Sequence, residues 1–391
     1  MKTILISLIS DHTIPNILAI HHFKPDDLLF ISTTTMEKKN KTADILNALD
    51  RLGLHYKIDP IIVQEDSILD SHEKIGKWIE GKEDAEFLVN LTGGTKIMSI
   101  AAYEFFKDYS NKMIYIPIPK NEFIIPFPKK RPGAPVKLDL KLSVIEYLTA
   151  YGLTVLNESH LNSYRKDAIK RKELSKWITN NYDKLKNLLM WLCNILRTHR
   201  NKKQFILKGG FDDASKEEKQ LLSRLNFAYY KGTVSKKIDK SEINYLTGGW
   251  LEEFCFVNVS ELLGQGIDDA VISLQLKNRQ GGNNEFDIMF TKDNALYSIE
   301  CKSLDQNEDK KADALYKVGA LQKEFGLRVE SFFVTTSPHI LKDGKIKQSI
   351  QARAEQFKTT IIPPSKVSQF GEILKRNLRN KTQDDKIFYQ D

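Results

Sequence analysis

Cysteine is scarce in this chain: three residues in 391, Cys193, Cys255 and Cys301, far apart and without a CxxC pair. That argues against a disulfide framework and a zinc ribbon, and a reducing cytoplasm is the compartment that fits. Long apolar runs are missing too, so no membrane partner is expected. The N-terminal stretch, Met1-Lys2 followed by apolar residues to Ile9, is too short for a signal peptide. Asp11-His12 follows it with no small-residue cleavage site, so it reads as a buried first strand. There is no internal repeat, no low-complexity tract, no Walker loop and no GxGxxG.

What is present is ordinary globular material. Hydrophobic residues make up 41% and charged residues 28%, enough to bury cores and to exclude wholesale disorder. The length suggests two or three domains. A net charge of +8 favours a polyanionic partner. Residues 1–137 alternate apolar strands (4–9, 28–32, 55–63, 86–91) with amphipathic helices (43–52, 68–79, 97–109). Two closing strands follow at 113–118 and 123–127. Near-continuous apolar strands separated by helices predict an α/β domain with a parallel, doubly wound sheet. Pro126, Pro128, Pro132 and Pro135, with Lys129, Lys130 and Arg131 among them, mark its end.

Residues 138–245 read as a mostly helical segment that can hold a winged-helix unit. A helix over 143–151 stops at Gly152, and a long amphipathic stretch covers 174–196. Around the latter lie Lys166, Lys170, Arg171, Lys172, Lys176, Arg197, Arg200, Lys202 and Lys203, a solvated surface or a nucleic-acid-facing patch. Residues 246–391 form the third unit. A helix over 250–263 precedes three strands (270–277, 285–290, 296–301), then a helix (311–325), a strand (329–335), a helix (346–357) and a last strand (359–362). A polar tail after about Arg379 is expected to fray.

The most informative residues are Asp287 and Glu300-Cys301-Lys302. Alternation predicts Glu285, Asp287 and Met289 on one face of their strand, with Phe286, Ile288 and Phe290 on the other. Ser298, Glu300 and Lys302 share a face of the next strand. If the two strands pair, Asp287, Glu300 and Lys302 converge. Two carboxylates held together need a cation, and oxygen ligands on rigid strands suit Mg²⁺ or Mn²⁺. Lys302 is placed to stabilise phosphate charge or orient a water. A helix acid from Leu251-Glu252-Glu253, an Asp on one strand and Glu-x-Lys on the next resemble the PD-(D/E)xK nucleases. The chemistry implied is metal-assisted attack of water on a phosphodiester.

In the first domain, Asn90-Leu91-Thr92-Gly93-Gly94-Thr95-Lys96 follows the fourth strand and opens a helix. Glycines permit close backbone approach, and free N–H groups with a positive dipole end suit an anion. Ser10, Asp11, His12 and Thr13 follow the first strand at the same carboxyl edge, where open α/β sheets bind ligands.

Taken with Val144-Ile145-Glu146-Tyr147-Leu148-Thr149-Ala150-Tyr151-Gly152, with Leu246-Thr247-Gly248-Gly249-Trp250-Leu251-Glu252-Glu253, and with Glu285-Phe286-Asp287 and Ile299-Glu300-Cys301-Lys302, these motifs resemble the CARF-fused nucleases of type III CRISPR defence. The resemblance runs over nearly all the chain. It implies a Rossmann-like CARF sensor (1–137), the helical linker (138–245) and a PD-(D/E)xK, restriction-endonuclease-like domain (246–391). It further implies a homodimer that binds a cyclic oligoadenylate, cyclic tetra-adenylate above all, and then cleaves RNA, DNA or both. By the same resemblance Ser10, Asp11, His12, Thr13, Thr92, Gly93, Gly94, Thr95 and Lys96 hold the ligand. Asp287, Glu300 and the Cys301 carbonyl hold the metal, and Glu252, Asp287, Glu300 and Lys302 are catalytic. Either Glu252 or Glu253 supplies the helix acid; the family's Trp-Leu-Glu aligns with Glu252. A two-fold cyclic ligand read by a two-fold dimer is consistent with this. Two other readings compete: a ligand-responsive transcription regulator binding DNA through the central basic helices, and a restriction or repair nuclease without small-molecule control. The acidic set disfavours the first and the complete N-terminal α/β domain the second.

Overall fold

A computed structural model describes residues 2–109, 111–117, 120–127, 133–279, 281–304 and 329–387. The chain opens with β1 (Thr3–Leu8), α1 (Ile14–Phe23), β2 (Asp27–Ser32), α2 (Thr34–Lys38), α3 (Lys41–Arg51), β3 (Ile61–Ile62), α4 (Ile68–Ile79), β4 (Glu86–Asn90) and α5 (Lys96–Phe106). β5 (Asn111–Tyr115), β6 (Glu122–Phe127) and β7 (Val136–Lys137) complete a seven-stranded sheet of order β3-β2-β1-β4-β5-β6-β7. β1 to β5 are parallel, as the apolar strands predict, and β1 and β4 are neighbours across the point where the winding reverses. β6 and β7 run antiparallel, so the sheet is mixed at that edge. The third strand shrinks to Ile61–Ile62, because Pro60 brings no N–H to the ladder. Pro128, Lys129, Lys130, Arg131 and Pro132 lie outside the described residues.

The central segment is mostly helical, as its sequence suggests, and carries a small sheet besides. After α6 (Val144–Ala150), whose Ser143 and Glu146 form a capping box, β8 (Thr154–Val155) crosses to the last sheet. Helices α7 (Glu158–Lys170), α8 (Lys172–Asn180) and α9 (Tyr182–Leu196) follow; the long stretch over 174–196 is broken at Asn181. Then β9 (Gln204–Gly210), α10 (Lys216–Arg224), β10 (Ala228–Tyr230) and β11 (Thr233–Asp239) build an antiparallel three-stranded sheet, order β10-β11-β9, with a helix packed beside it.

α11 (Lys240–Asn244) leads through a wide turn containing Gly248, at φ 137°, into α12 (Trp250–Ser260). The remaining strands are β12 (Asp269–Lys277), β13 (Asn283–Lys292), β14 (Ala295–Lys302), β15 (Val329–Thr335), the small hairpin β16 (Leu341–Lys342) and β17 (Lys345–Ile346), and β18 (Thr359–Ile362). α13 (Gln348–Gln356) precedes β18, and α14 (Phe370–Ile387) ends the described chain as a helix where the sequence suggests a frayed tail. The sheet order is β18-β15-β14-β13-β12-β8, an antiparallel meander β12-β13-β14 joined to parallel β15 and β18. The helix expected over 311–325 lies outside the described residues.

One apolar cluster spans the first and last sheets. Ile17, Leu28 and Ile45 of the first domain pack with Leu142, Val144 and Leu148, and these with Leu274, Met289 and Leu296. Polar ties reinforce the joint. The Leu142 N–H donates to Asn294 Oδ1 at 2.8 Å, and Asn294 Nδ2 donates to Leu140 O and to Asn121 Oδ1. Arg279, in the β12–β13 connection, pairs with the buried carboxylate of Asp44 on α3.

That pair gives a pH test. Burial pushes the Asp44 carboxyl up to about 6, against the pull of Arg279. A carboxyl raised on folding binds its proton more tightly in the native state. The stability it adds is therefore full below its unfolded value near 4 and is lost as pH rises toward 6. Asp44→Asn removes that dependence. The difference in Tm, variant minus wild type, should rise by roughly 3–5 °C between pH 4 and pH 7.5. A difference flat with pH contradicts it.

Candidate functional site

Two sites are assembled by this architecture. The first is the crevice at the carboxyl ends of β1 and β4. Ser7 lies opposite Asn90 in the parallel register, so the two following loops run side by side. A polar chain underlies them. Asn16 Nδ2 donates to Leu8 O, Asn90 Nδ2 to Asn16 Oδ1, and both the N–H and the hydroxyl of Thr92 to Asn90 Oδ1. Thr92 Oγ1 in turn accepts from the Ile116 N–H at 2.8 Å. A Cβ on Gly93 would collide with the Leu8 carbonyl oxygen, and Gly94 sits at φ 72°, so both glycines have a steric cause.

The site residues divide by availability. Lys96, the first residue of α5, is exposed. Thr95 is the N-cap: its hydroxyl accepts from the Met98 N–H and donates to Glu65 O. Asp11 pairs with Lys39 at 2.8 Å on the surface, a partner the sequence reading missed. Ser10 donates to the His12 carbonyl, and His12 lines a small cavity of about 40 Å³ with Tyr147, Tyr151 and Asn294 at the joint between the domains. Thr13 corrects the expectation: it is fully buried and its hydroxyl donates to the Ala150 carbonyl at 2.7 Å. It ties the loop to α6, so its hydroxyl is already engaged.

The second site lies where β13 and β14 part. Their ladder runs from Lys292 opposite Ala295 to Ile288 opposite Ile299. At the next position the Asp287 side chain takes over, Oδ2 accepting the Cys301 N–H at 2.7 Å. The simple alternation expected here fails. Phe286 and Met289 share one apolar cluster, while Ile288 and Phe290 belong to the other. The cause is on β12: Ile272 faces Ile288 and Leu274 faces Phe286, but Ser273, at φ 56°, and Asp287 between them do not pair. An interruption of this kind re-aims a side chain.

Glu300 is 6% exposed, with its Oε1 3.6 Å from Lys302 Nζ. From α12, Glu252 joins them. Burial first, then the carboxylates of Glu300 and Glu285, push its carboxyl up to about 7, with Arg200 opposing. Glu253, lining the same cavity, is held in a bidentate pair with Arg171. Of the two helix acids, Glu252 is therefore the one that senses Glu300. Cys301 is buried against Cys255, and burial pushes its thiol well up. Arg200, named in the sequence only as part of a basic run, is held by Thr247: Nε donates to Oγ1 at 2.8 Å. No local motif announces it. Among the described residues no three His, Cys, Asp or Glu side chains form a ready metal cage. The expected ligand set is of another kind, two carboxylates and a main-chain carbonyl.

The geometry thus defines a class: a doubly wound domain with an anion-suited crevice, fused to a mixed-sheet domain whose diverging strands gather acids and a lysine. Residues 4–147 match the model of the Card1 CARF domain, and residues 239–381 match that of the Card1-like endonuclease domain. The chain is a fusion of these two families, a CARF-fused nuclease. No curated protein matches it significantly in sequence. Solved structures share its fold at low identity. Protein VC1899 from Vibrio cholerae has a TM-score of 0.80 at 19% identity, over 96% of this chain and 98% of that one. Can2 from Sulfobacillus thermosulfidooxidans, in complex with cyclic tetra-adenylate, gives 0.73 at 20%, over 94% and 98%. A type III CRISPR defence DNA nuclease activated by cyclic oligoadenylate gives 0.52 at 14%, over 86% of this chain and 45% of that one.

Proposed function

We propose that this protein is a cytoplasmic homodimeric nuclease of type III CRISPR defence. Cyclic oligoadenylate, cyclic tetra-adenylate above all, activates it, and it cleaves RNA, DNA or both with Mn²⁺ or Mg²⁺. The observation that carries the reading is the gathering of Asp287, Glu300 and Lys302 where β13 and β14 part, with Glu252 of α12 beside Glu300 and its carboxyl raised by burial and by that neighbour. Carboxylates gathered this closely are short of positive charge, and a dication supplies it. Asp287, Glu300 and the Cys301 carbonyl would hold the ion, an all-oxygen set of the kind Mg²⁺ and Mn²⁺ take. Bound there, the ion supplies Lewis acidity toward a phosphodiester and its attacking water. The chain's own groups do the rest. The Lys302 ammonium orients the water or balances charge on the phosphate. Glu252, titrating close to neutral pH, takes up or returns a proton at its carboxylate. In the sensor, Lys96 and the free N–H groups opening α5 face the ligand phosphates.

The test separates the lysine from the ligands. Lys302→Ala should lose cleavage by roughly 10²-fold or more while retaining Mn²⁺ binding by calorimetry, because an ammonium is not a ligand. Loss of metal binding in that variant overturns the role given to Lys302. Unimpaired cleavage overturns the site.

A further inference from the structure

The three-stranded sheet of the central segment has one face packed and one face bare. Leu207, Val234 and Ile238 point into the core, with Phe205 and Tyr229 packed beside them. The opposite face is four rows deep: Gln204 with Asp239; Ile206 with Lys237; Lys208 with Ser235 and Ala228; Gly210 with Thr233 and Tyr230. Ile206 and Tyr230, at 70% and 71%, are the most exposed large apolar side chains among the described residues. Lys208 and Lys237 are exposed, and neither enters an ion pair among the described residues. The Lys231 ammonium stands 5.4 Å from the Tyr230 ring centre. The one carboxylate in the rows, Asp239, is committed to the Glu242 N–H as an N-cap.

One end of this face meets the nuclease site. Lys240, directly after Asp239, lines a cavity of about 410 Å³ together with Glu252 and Glu285. Arg200, shortly before Gln204, is the cation felt by Glu252. From that end the rows run outward about 20 Å at the usual strand rise.

We propose that this face is a track for single-stranded polynucleotide, leading from the cleavage centre along β9 and β11 to Tyr230. Lysines unpaired by acids suit a phosphate backbone, and Tyr230 and Ile206 offer apolar surface to unstacked bases. The proposal rests on the nuclease reading and specifies where its substrate lies. The test uses the full chain with fluorescent 20-nucleotide single-stranded DNA and a 20-base-pair duplex, without metal, so that binding is read apart from cleavage. The triple variant Lys208→Gln, Lys237→Gln, Tyr230→Ala should bind the single strand at least 10-fold more weakly. Its slope of log affinity against log salt should shrink by about 1.4, two phosphate contacts' worth. Its circular dichroism and elution volume should match wild type. Unchanged affinity, an unchanged salt slope, weakening of duplex binding alone, or a changed oligomeric state, which would make the face a contact between copies, each overturns it. Strand binding that depends on this face in a protein that never cleaves would overturn the nuclease reading and leave the track standing.

Discussion

Glu300→Ala should reduce cleavage by roughly 10²–10³-fold or more while leaving the fold and activator binding intact. Glu300 is almost fully buried at the point where β13 and β14 part, and it is the neighbouring carboxylate that most raises Glu252. Its removal leaves the proposed metal with one strand carboxylate. It also removes the repulsion that adds to burial in raising Glu252, so Glu252 should titrate lower in the variant. The fold should not suffer, since what is lost is a crowded charge whose cation, Lys302, keeps partial contact with solvent. The proposed activator crevice lies at the carboxyl ends of β1 and β4, in a different sheet. Cleavage assays at saturating Mn²⁺, beside calorimetry with cyclic tetra-adenylate, read both halves. Full cleavage by the variant would remove Glu300 from the site.

Lys96→Glu should weaken activator binding by about 10–100-fold per crevice, the loss of a charge-assisted phosphate contact worth roughly 1.5–3 kcal/mol. In a two-fold dimer a symmetric ligand meets that loss twice. Lys96 is exposed at the first position of α5, behind the Thr95 cap, where the helix N-terminus already favours an anion. A glutamate there complements the helix dipole, so the variant should fold at least as well as wild type, and a loss of affinity cannot be ascribed to unfolding. Activity without activator should survive. Unchanged affinity in a folded variant would take the loop from Thr92 to Lys96 out of the ligand site.

The sequence makes visible whatever is local. The parallel strands of the first domain are apolar because helices cover both their faces, and β1, β2 and β4 fall where their hydrophobic runs do. Gly93 and Gly94 mark a turn that only glycine fits, and Glu300-Cys301-Lys302 stands at the end of an apolar strand. What depends on distant partners is hidden. Thr13 looks like a crevice hydroxyl until α6 brings the Ala150 carbonyl to it. Glu252 is separated from Glu253 in the sequence only by the family resemblance, and physically only when Arg171 takes Glu253. The slip of alternation at Asp287 follows from a left-handed Ser273 on another strand, a conformation serine does not advertise. The three-stranded sheet escapes notice because β9 carries polar residues and two glycines in place of a β-branched run, and β10 is three residues long.

In the proposed function one chain senses a cyclic oligoadenylate and cuts nucleic acid in response. The direct measurement is the initial cleavage rate of labelled single-stranded RNA and DNA by the purified full-length protein, in four conditions: with and without cyclic tetra-adenylate, with Mn²⁺ or with chelator. Rapid cleavage is expected only when activator and metal are both present. Equal rates with and without activator, or cleavage undiminished by chelator, would contradict it.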